Sequence, residues 1–140
     1  MKNADQCHVF VYGTLKPNQA NFEQYCAGKV IAQQQAIAYG ELFILPMGYP
    51  AMIAGNSPIY GYLLTFSDDS ILESLDELED YQSDRVSIEN LADNLYNRQQ
   101  IEVFDIQGMS LGKAWAYFMT SIQVITFDGI SQPNGLFSQH

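Results

Sequence analysis

The run Cys7-His8-Val9-Phe10-Val11-Tyr12 constrains this chain more than any other segment. It is short, almost continuously apolar and ended by Gly13. A half-solvated strand would alternate apolar and polar residues, whereas an unbroken run fits a strand covered on both faces. The fold therefore has to place material on two sides of this strand. A chain of 140 residues, 47% of them hydrophobic, has enough apolar side chains to do so within one domain.

The remaining pattern is mostly short β-forming runs. Lys29 to Leu45 is rich in β formers and small residues, with Gly40 as a bend or bulge. Met47-Gly48-Tyr49-Pro50 reads as a turn, Ala51 to Ala54 as a short strand, and Gly55-Asn56-Ser57-Pro58 as a second turn. Ile59 to Phe66, Tyr96 to Ile106 and Lys113 to Thr120 read as strands, with a turn at Gln107-Gly108. Lys16-Pro17-Asn18 is a turn, Asn21 to Ala27 a short helix stopped by Gly28, and Val86 to Leu95 a loop or helical turn. Many short strands with one good helix predict an α+β fold: a small mixed sheet, curled or barrel-like, with helices packed on it. No linker or repeat interrupts the sequence. Residues 1–140 are expected to form a single domain with its core over about 7–120, and a poorly ordered tail from Asp128.

Charge and composition exclude several classes. Sixteen acidic residues against six Lys and Arg give a net charge of -10, which argues against binding nucleic acid or an anionic membrane surface. No run approaches the roughly 20 apolar residues that span a bilayer. The N-terminus lacks the charged, apolar and small-residue order of a signal peptide. Cys7 and Cys26 are too few for a disulfide framework and have no metal-ligand spacing, so they read as packing residues in a reduced, cytoplasmic setting. His8 and His140 make no ligand set and read as structural or exposed.

The helix runs from Ser67 to Asp80, with Ser67 or Asp68 as its cap. On a wheel of about 100° per residue with Leu75 at zero, Ile71 falls near about -40°, Leu78 near about -60° and Leu72 near about +60°. Glu73, Glu77 and Asp80 fall roughly opposite, where solvated acids belong. Asp76 is grouped with this solvated face, or braces a neighbouring loop. Glu79 falls near about +40°, inside the apolar stripe. There, burial and the helix C-terminus both push a carboxyl pKa upward, toward the range useful for proton transfer. The alternative is a helix that ends after Leu78 and lets Glu79 turn to water. Tyr12-Gly13-Thr14-Leu15, directly after the buried strand, either cradles an anion on successive backbone N–H groups or is an ordinary strand-ending turn. Arg98 can face a substrate carboxylate or pair with one of the chain's own acids. Tyr49, Tyr81 and Tyr117 are aromatics of the core or of a pocket rim.

Taken in order, these segments resemble the γ-glutamylcyclotransferase-like superfamily, in particular its small bacterial and γ-glutamylamine cyclotransferase branch. Val9-Phe10-Val11-Tyr12-Gly13-Thr14-Leu15-Lys16 is similar to its opening strand and substrate loop, and Gly48-Tyr49-Pro50-Ala51 to its Tyr-Pro turn. Leu75-Asp76-Glu77-Leu78-Glu79-Asp80-Tyr81 resembles its acidic motif, with Asp80 where a glycine is usual. Tyr96-Asn97-Arg98 and Ala114-Trp115-Ala116-Tyr117 resemble two later strands. The resemblance implies cyclisation of a γ-glutamyl amide to 5-oxoproline with release of an amine. It implies Glu79 as general acid/base, Tyr12, Gly13, Thr14 and Leu15 as the substrate loop, Tyr117 at the pocket, a small-molecule γ-glutamyl substrate and no cofactor. A non-catalytic ligand-binding or regulatory domain of the same fold is the competing expectation.

Overall fold

The structure is a computed structural model and describes residues 6–13, 16, 26, 28–46, 48, 50–78 and 96–135. Among these residues, six strands and two helices follow in the order β1 Cys7–Val11, β2 Val30–Ile44, β3 Pro50–Phe66, α1 Ile71–Leu78, β4 Asn97–Phe104, β5 Ser110–Phe118, α2 Ser121–Thr126 and β6 Ile130–Ser131. The strands hydrogen-bond in the order β3-β1-β5-β4-β2-β6, and β2 also pairs with β3. Five strands therefore close into a ring, which removes the exposed edges of an open sheet. All pairings are antiparallel except β1 with β5, registered at Val9 opposite Trp115. The ring is tightest along the β2–β3 ribbon and thin at β1–β5 and at β2–β4, the latter registered at Ile37 opposite Phe104.

β1 is buried on both sides, as its unbroken apolar run demands. Alternate residues serve two different cores, because successive side chains of a strand point to opposite faces. Phe10 and Tyr12 join Ala38, Met52, Ile59, Val103, Ala116 and Phe118, drawn from every strand of the ring, which marks this cluster as the barrel filling. Cys7, Val9 and Val11 join Leu64, Phe66, Tyr117 and the α1 residues Ile71, Leu72 and Leu75. The helix thus lies over β1 on the stripe that its periodicity predicts, with Leu75 fully buried and Glu73 exposed.

Four expectations change. Ala51–Ala54 and Ile59–Phe66 are one strand, β3, with no chain reversal at Gly55-Asn56-Ser57-Pro58. Gly40 pairs with Ser57 but Glu41 with Ile53, so the turn-forming residues leave as an exposed bulge opposite Gly40. Helix α1 starts at Ile71, four residues after Ser67; the Asp68 carboxylate accepts hydrogen bonds from the Ser70 amide (3.0 Å) and hydroxyl (2.6 Å) and holds the turn ahead of it. The segment after Asp128 is tied down as far as Gly135. β6 pairs with Phe43 and Ile44, the Gln132 amide donates to the Leu42 carbonyl (2.7 Å), and the Tyr60 amide donates to the Gly135 carbonyl (2.8 Å). Finally, α2 has no counterpart in the sequence reading. Its signal is the capping box Thr120-x-x-Gln123, in which the Thr120 hydroxyl accepts from the Gln123 amide and the Gln123 side chain accepts from the Thr120 amide. The expected turn at Gln107-Gly108 is present, closed by the Asp105 carboxylate on the Gln107 and Met109 amides (both 2.9 Å). The expected turn at residues 17–18, the helix over 21–27 apart from Cys26, and the loop over 86–95 lie outside the described residues.

Ring closure around β1 needs a close approach at Gly61. A Cβ built there would lie 2.2 Å from the Val11 carbonyl oxygen and 3.0 Å from the Phe10 ring. Gly61→Ala should therefore destabilise the protein by about 2 kcal/mol or more, since neither backbone nor packed ring can yield. Urea unfolding of wild type and variant measures this, and equal midpoints would contradict the fit described.

Candidate active site

Parallel pairing brings the C-terminal ends of β1 and β5 to the same end of the ring. Tyr12, at the end of β1, therefore meets Tyr117, near the end of β5. The buried Tyr12 hydroxyl donates to the Tyr117 carbonyl at 2.6 Å and accepts from the Met52 amide at 3.2 Å. One phenol thus joins three strands. It also means that the side chain of Tyr12 serves the interior of the ring. Gly13 follows, and a side chain there would run into Pro50, whose Cγ lies 2.5 Å from a built Cβ. The turn closes with the Lys16 amide donating to the Gly13 carbonyl at 3.0 Å. The Lys16 side chain is buried, and desolvation lowers its pKa. Pro50 is fixed in turn by its own carbonyl, which accepts from the Tyr96 hydroxyl at 2.6 Å.

From the other side comes α1. Asp76 sits beside the Leu72 and Leu75 stripe and is half-buried, not solvated as its grouping with Glu73 and Glu77 predicts. Its carboxylate spans two strands: Oδ1 accepts from the Tyr117 hydroxyl at 2.6 Å, and Oδ2 faces Arg98 Nη1 at 3.1 Å. Arg98 and Tyr117 are register partners across β4 and β5, which is why they converge on one acid. The Arg98 guanidinium also lies over the Trp115 ring, 4.9 Å from its centroid, two residues back along the same face of β5. Arg98 therefore takes the internal ion pair among the two uses its sequence position allows. For Asp76, burial raises the carboxyl pKa, and the Tyr117 hydrogen bond and the Arg98 charge pull it back; the balance stays above the ordinary carboxylate value.

The structure thus brings Tyr12, Gly13 and Tyr117 together and adds Asp76, Arg98 and Pro50, which the sequence reading did not group with them. One sequence signal could have found Asp76: at roughly +100° on the wheel it borders Leu72 and is the acid nearest the apolar stripe among those placed on the solvated face. Thr14, Leu15 and Glu79 lie outside the described residues, as do Tyr49 and Tyr81. A separate groove of about 520 Å³ opens at the other end of β1, bordered by Cys7, His8, Asp68, Asp69, Lys113 and Trp115. It is set by the start of α1 and does not coincide with the expected site. His8 is held there by Thr65, with Nδ1 3.0 Å from the hydroxyl.

Cys7 and Cys26 are buried free thiols, which fits their reading as packing residues. Burial pushes both up to about 11, helped at Cys7 by the Asp69 charge. A thiol whose folded pKa exceeds its unfolded value of 9.0 stabilises the fold below pH 9 and loses that contribution as pH rises toward about 11. Folding stability should therefore decline between pH 9 and about 11, and less steeply in Cys7→Ala. Denaturation midpoints at pH 8, 9.5 and 11 measure this; parallel declines in wild type and variant would refute a contribution from Cys7.

Comparison with known proteins identifies the family and the fold. The sequence model of one family, described as gamma-glutamyl cyclotransferase, AIG2-like, matches residues 9–134. None of the curated protein sequences matches the chain significantly. Among solved structures, an AIG2-like protein of Mus musculus is similar with a TM-score of 0.66 at 20% identity, over 97% of each chain. Bacillus subtilis YkqA is similar with a TM-score of 0.63 at 23% identity, over 94% of this chain and 39% of its own. A structure titled gamma-glutamyl cyclotransferase gives 0.56 at 15% identity, over 83% of this chain and 68% of its own. At these identities the structural likenesses establish the α+β fold.

Proposed function

Since this chain belongs to the gamma-glutamyl cyclotransferase, AIG2-like family, we propose that it converts a γ-glutamyl amide into 5-oxoproline and a free amine, with Glu79 as general acid/base. One structural observation supports the placement of the site. Tyr117 touches Tyr12, at the head of the proposed substrate loop, through its carbonyl, and Asp76, three residues before Glu79, through its hydroxyl.

The reaction asks little of the protein in covalent chemistry. The nucleophile is the substrate's own α-amine, which attacks the γ-carbonyl carbon. A new C–N bond closes the five-membered ring, the old amide C–N bond breaks, and no water is consumed. The attacking amine must lose a proton and the leaving nitrogen must gain one. A single carboxylate between them does both, with Glu79 taking the proton and returning it. Main-chain N–H groups of the Tyr12-Gly13-Thr14-Leu15 loop hold the substrate carboxylate or the oxyanion that forms on the γ-carbonyl. Folding the substrate so that its two ends meet supplies the rest of the rate. The absence of a side chain at Gly13 suits this role, because the loop backbone packs against Pro50 with no Cβ between.

The test is a panel of γ-glutamyl donors, with glutathione, γ-glutamyl amino acids, γ-glutamyl-lysine isopeptide and γ-glutamyl alkylamines assayed for 5-oxoproline release. Turnover of at least one donor is expected, with Glu79→Gln lowering kcat by about 10²-fold or more, the usual contribution of a general acid/base. A wild type inert on every donor, or a Glu79→Gln variant as active as wild type, would refute the assignment.

A further inference from the structure

Tyr117 occupies an unusual position. Its carbonyl holds the loop side of the proposed site through the Tyr12 hydroxyl at 2.6 Å, and its hydroxyl holds the helix side through Asp76 at 2.6 Å. Both bonds are short, and the residue between them is buried in a strand of the ring. The helix side is locked again by Arg98, which engages the second Asp76 oxygen and rests on Trp115. On a helix, residues four apart are neighbours on one face, so whatever fixes Asp76 also fixes the face that it shares with Leu72. We infer that Tyr117 is a positioning residue, the strut that sets the spacing between the Tyr12–Gly13 turn and the α1 face that carries Asp76, and that it acts through Asp76 without binding substrate through its hydroxyl. This role rests on the cyclotransferase reading for its catalytic consequence, but the strut itself does not.

The chemistry explains why such a strut matters. An acid that must reach both the attacking amine and the leaving nitrogen has little positional tolerance, and a displacement of about 1 Å can cost about 10²-fold in rate. A phenol on a carboxylate that is itself paired with a guanidinium is a charge-assisted bond, short and directional. Arg98 keeps the carboxylate from turning away, since its two oxygens are committed to different strands. Tyr12 and Tyr117 act in series: cutting either bond lets one half of the site move relative to the other, and cutting both removes nothing further.

Tyr12→Phe, Tyr117→Phe and the double variant test this, each assayed with a donor that the wild type turns over and each followed by amide hydrogen exchange. Either single change should lower kcat by about tenfold while leaving KM within about twofold, because positioning is lost and substrate contacts are kept. The double variant should fall no more than about twofold below the weaker single, the non-additivity expected of groups acting as one unit. Exchange should quicken over residues 71–78 in Tyr117→Phe and over residues 10–13 in Tyr12→Phe, with β2 and β3 unchanged. Wild-type kcat in Tyr117→Phe, a KM rise that accounts for the whole loss, multiplying losses in the double variant, or exchange quickening throughout the barrel would each overturn the inference. A wild type inert on every donor sinks the cyclotransferase reading alone. The strut is then decided by exchange, supported by local quickening over 71–78 in Tyr117→Phe and overturned by none.

Discussion

β1 is covered on both faces apart from half-buried His8 near its start, and the rest of the fold is arranged to meet that condition. Phe10 and Tyr12 require a closed interior on one side, while Cys7, Val9 and Val11 require a lid on the other. The long β2–β3 ribbon curls to supply the first, and α1 supplies the second. Each fully buried aliphatic or aromatic side chain contributes on the order of 1.5–3 kcal/mol, so a five-residue strand filled on both sides is a large share of the folding free energy of a small domain. Because β1 is central, it is flanked by β3 and β5, and its pairing with β5 is parallel. That one parallel pairing has a consequence for the proposed site. It gathers the ends of two strands, and hence Tyr12 and Tyr117, at one end of the ring.

At that end, burial creates a second demand. Phenols, a carboxylate and a guanidinium placed among apolar side chains lose hydration and need partners. The partners are one another: Tyr12 with the Tyr117 carbonyl and the Met52 amide, Tyr117 with Asp76, Asp76 with Arg98, and Tyr96 with the Pro50 carbonyl. Apolar packing alone tolerates small slips between a helix and a sheet. A chain of short, directional bonds does not, since each has one narrow range of length and angle. The network therefore turns a helix that merely covers β1 into a helix held at a fixed offset from it.

Much of this was legible in the sequence where the signal is local. The unbroken Cys7–Tyr12 run, the α1 stripe and the Asp105 to Gly108 turn all follow from nearest-neighbour chemistry, and all are present. What misled was long-range pairing. Gly55-Asn56-Ser57-Pro58 has the composition of a turn, yet β2 runs alongside it on both sides of Gly40 and carries the chain through as a bulge. The segment after Asp128 is polar and rich in turn formers, but free carbonyls at Leu42 and amides at Tyr60 offer it hydrogen-bond partners that no local rule counts. Asp76 shows the same limit at the site. A helical wheel assigns it by angle, whereas its burial depends on Arg98 and Tyr117, which are 22 and 41 positions away in the chain.

These two kinds of information bear differently on function. Sequence spacing singles out Glu79 because a carboxylate stands where a leucine belongs, an argument about chemistry with no geometry in it. The structure supplies geometry, with the loop after β1 and the face of α1 referred to the same residue of β5. A cyclisation in which the substrate brings its own nucleophile needs both, one proton-transferring group and one fixed distance, and needs little else from the protein. The groove beside Lys113 and Trp115 sits at the start of β1, and Tyr12, Gly13 and Tyr117 are not among the residues that border it. The two contacts of Tyr117, to Tyr12 and to Asp76, are therefore what support the proposed placement of the site at that end of the ring.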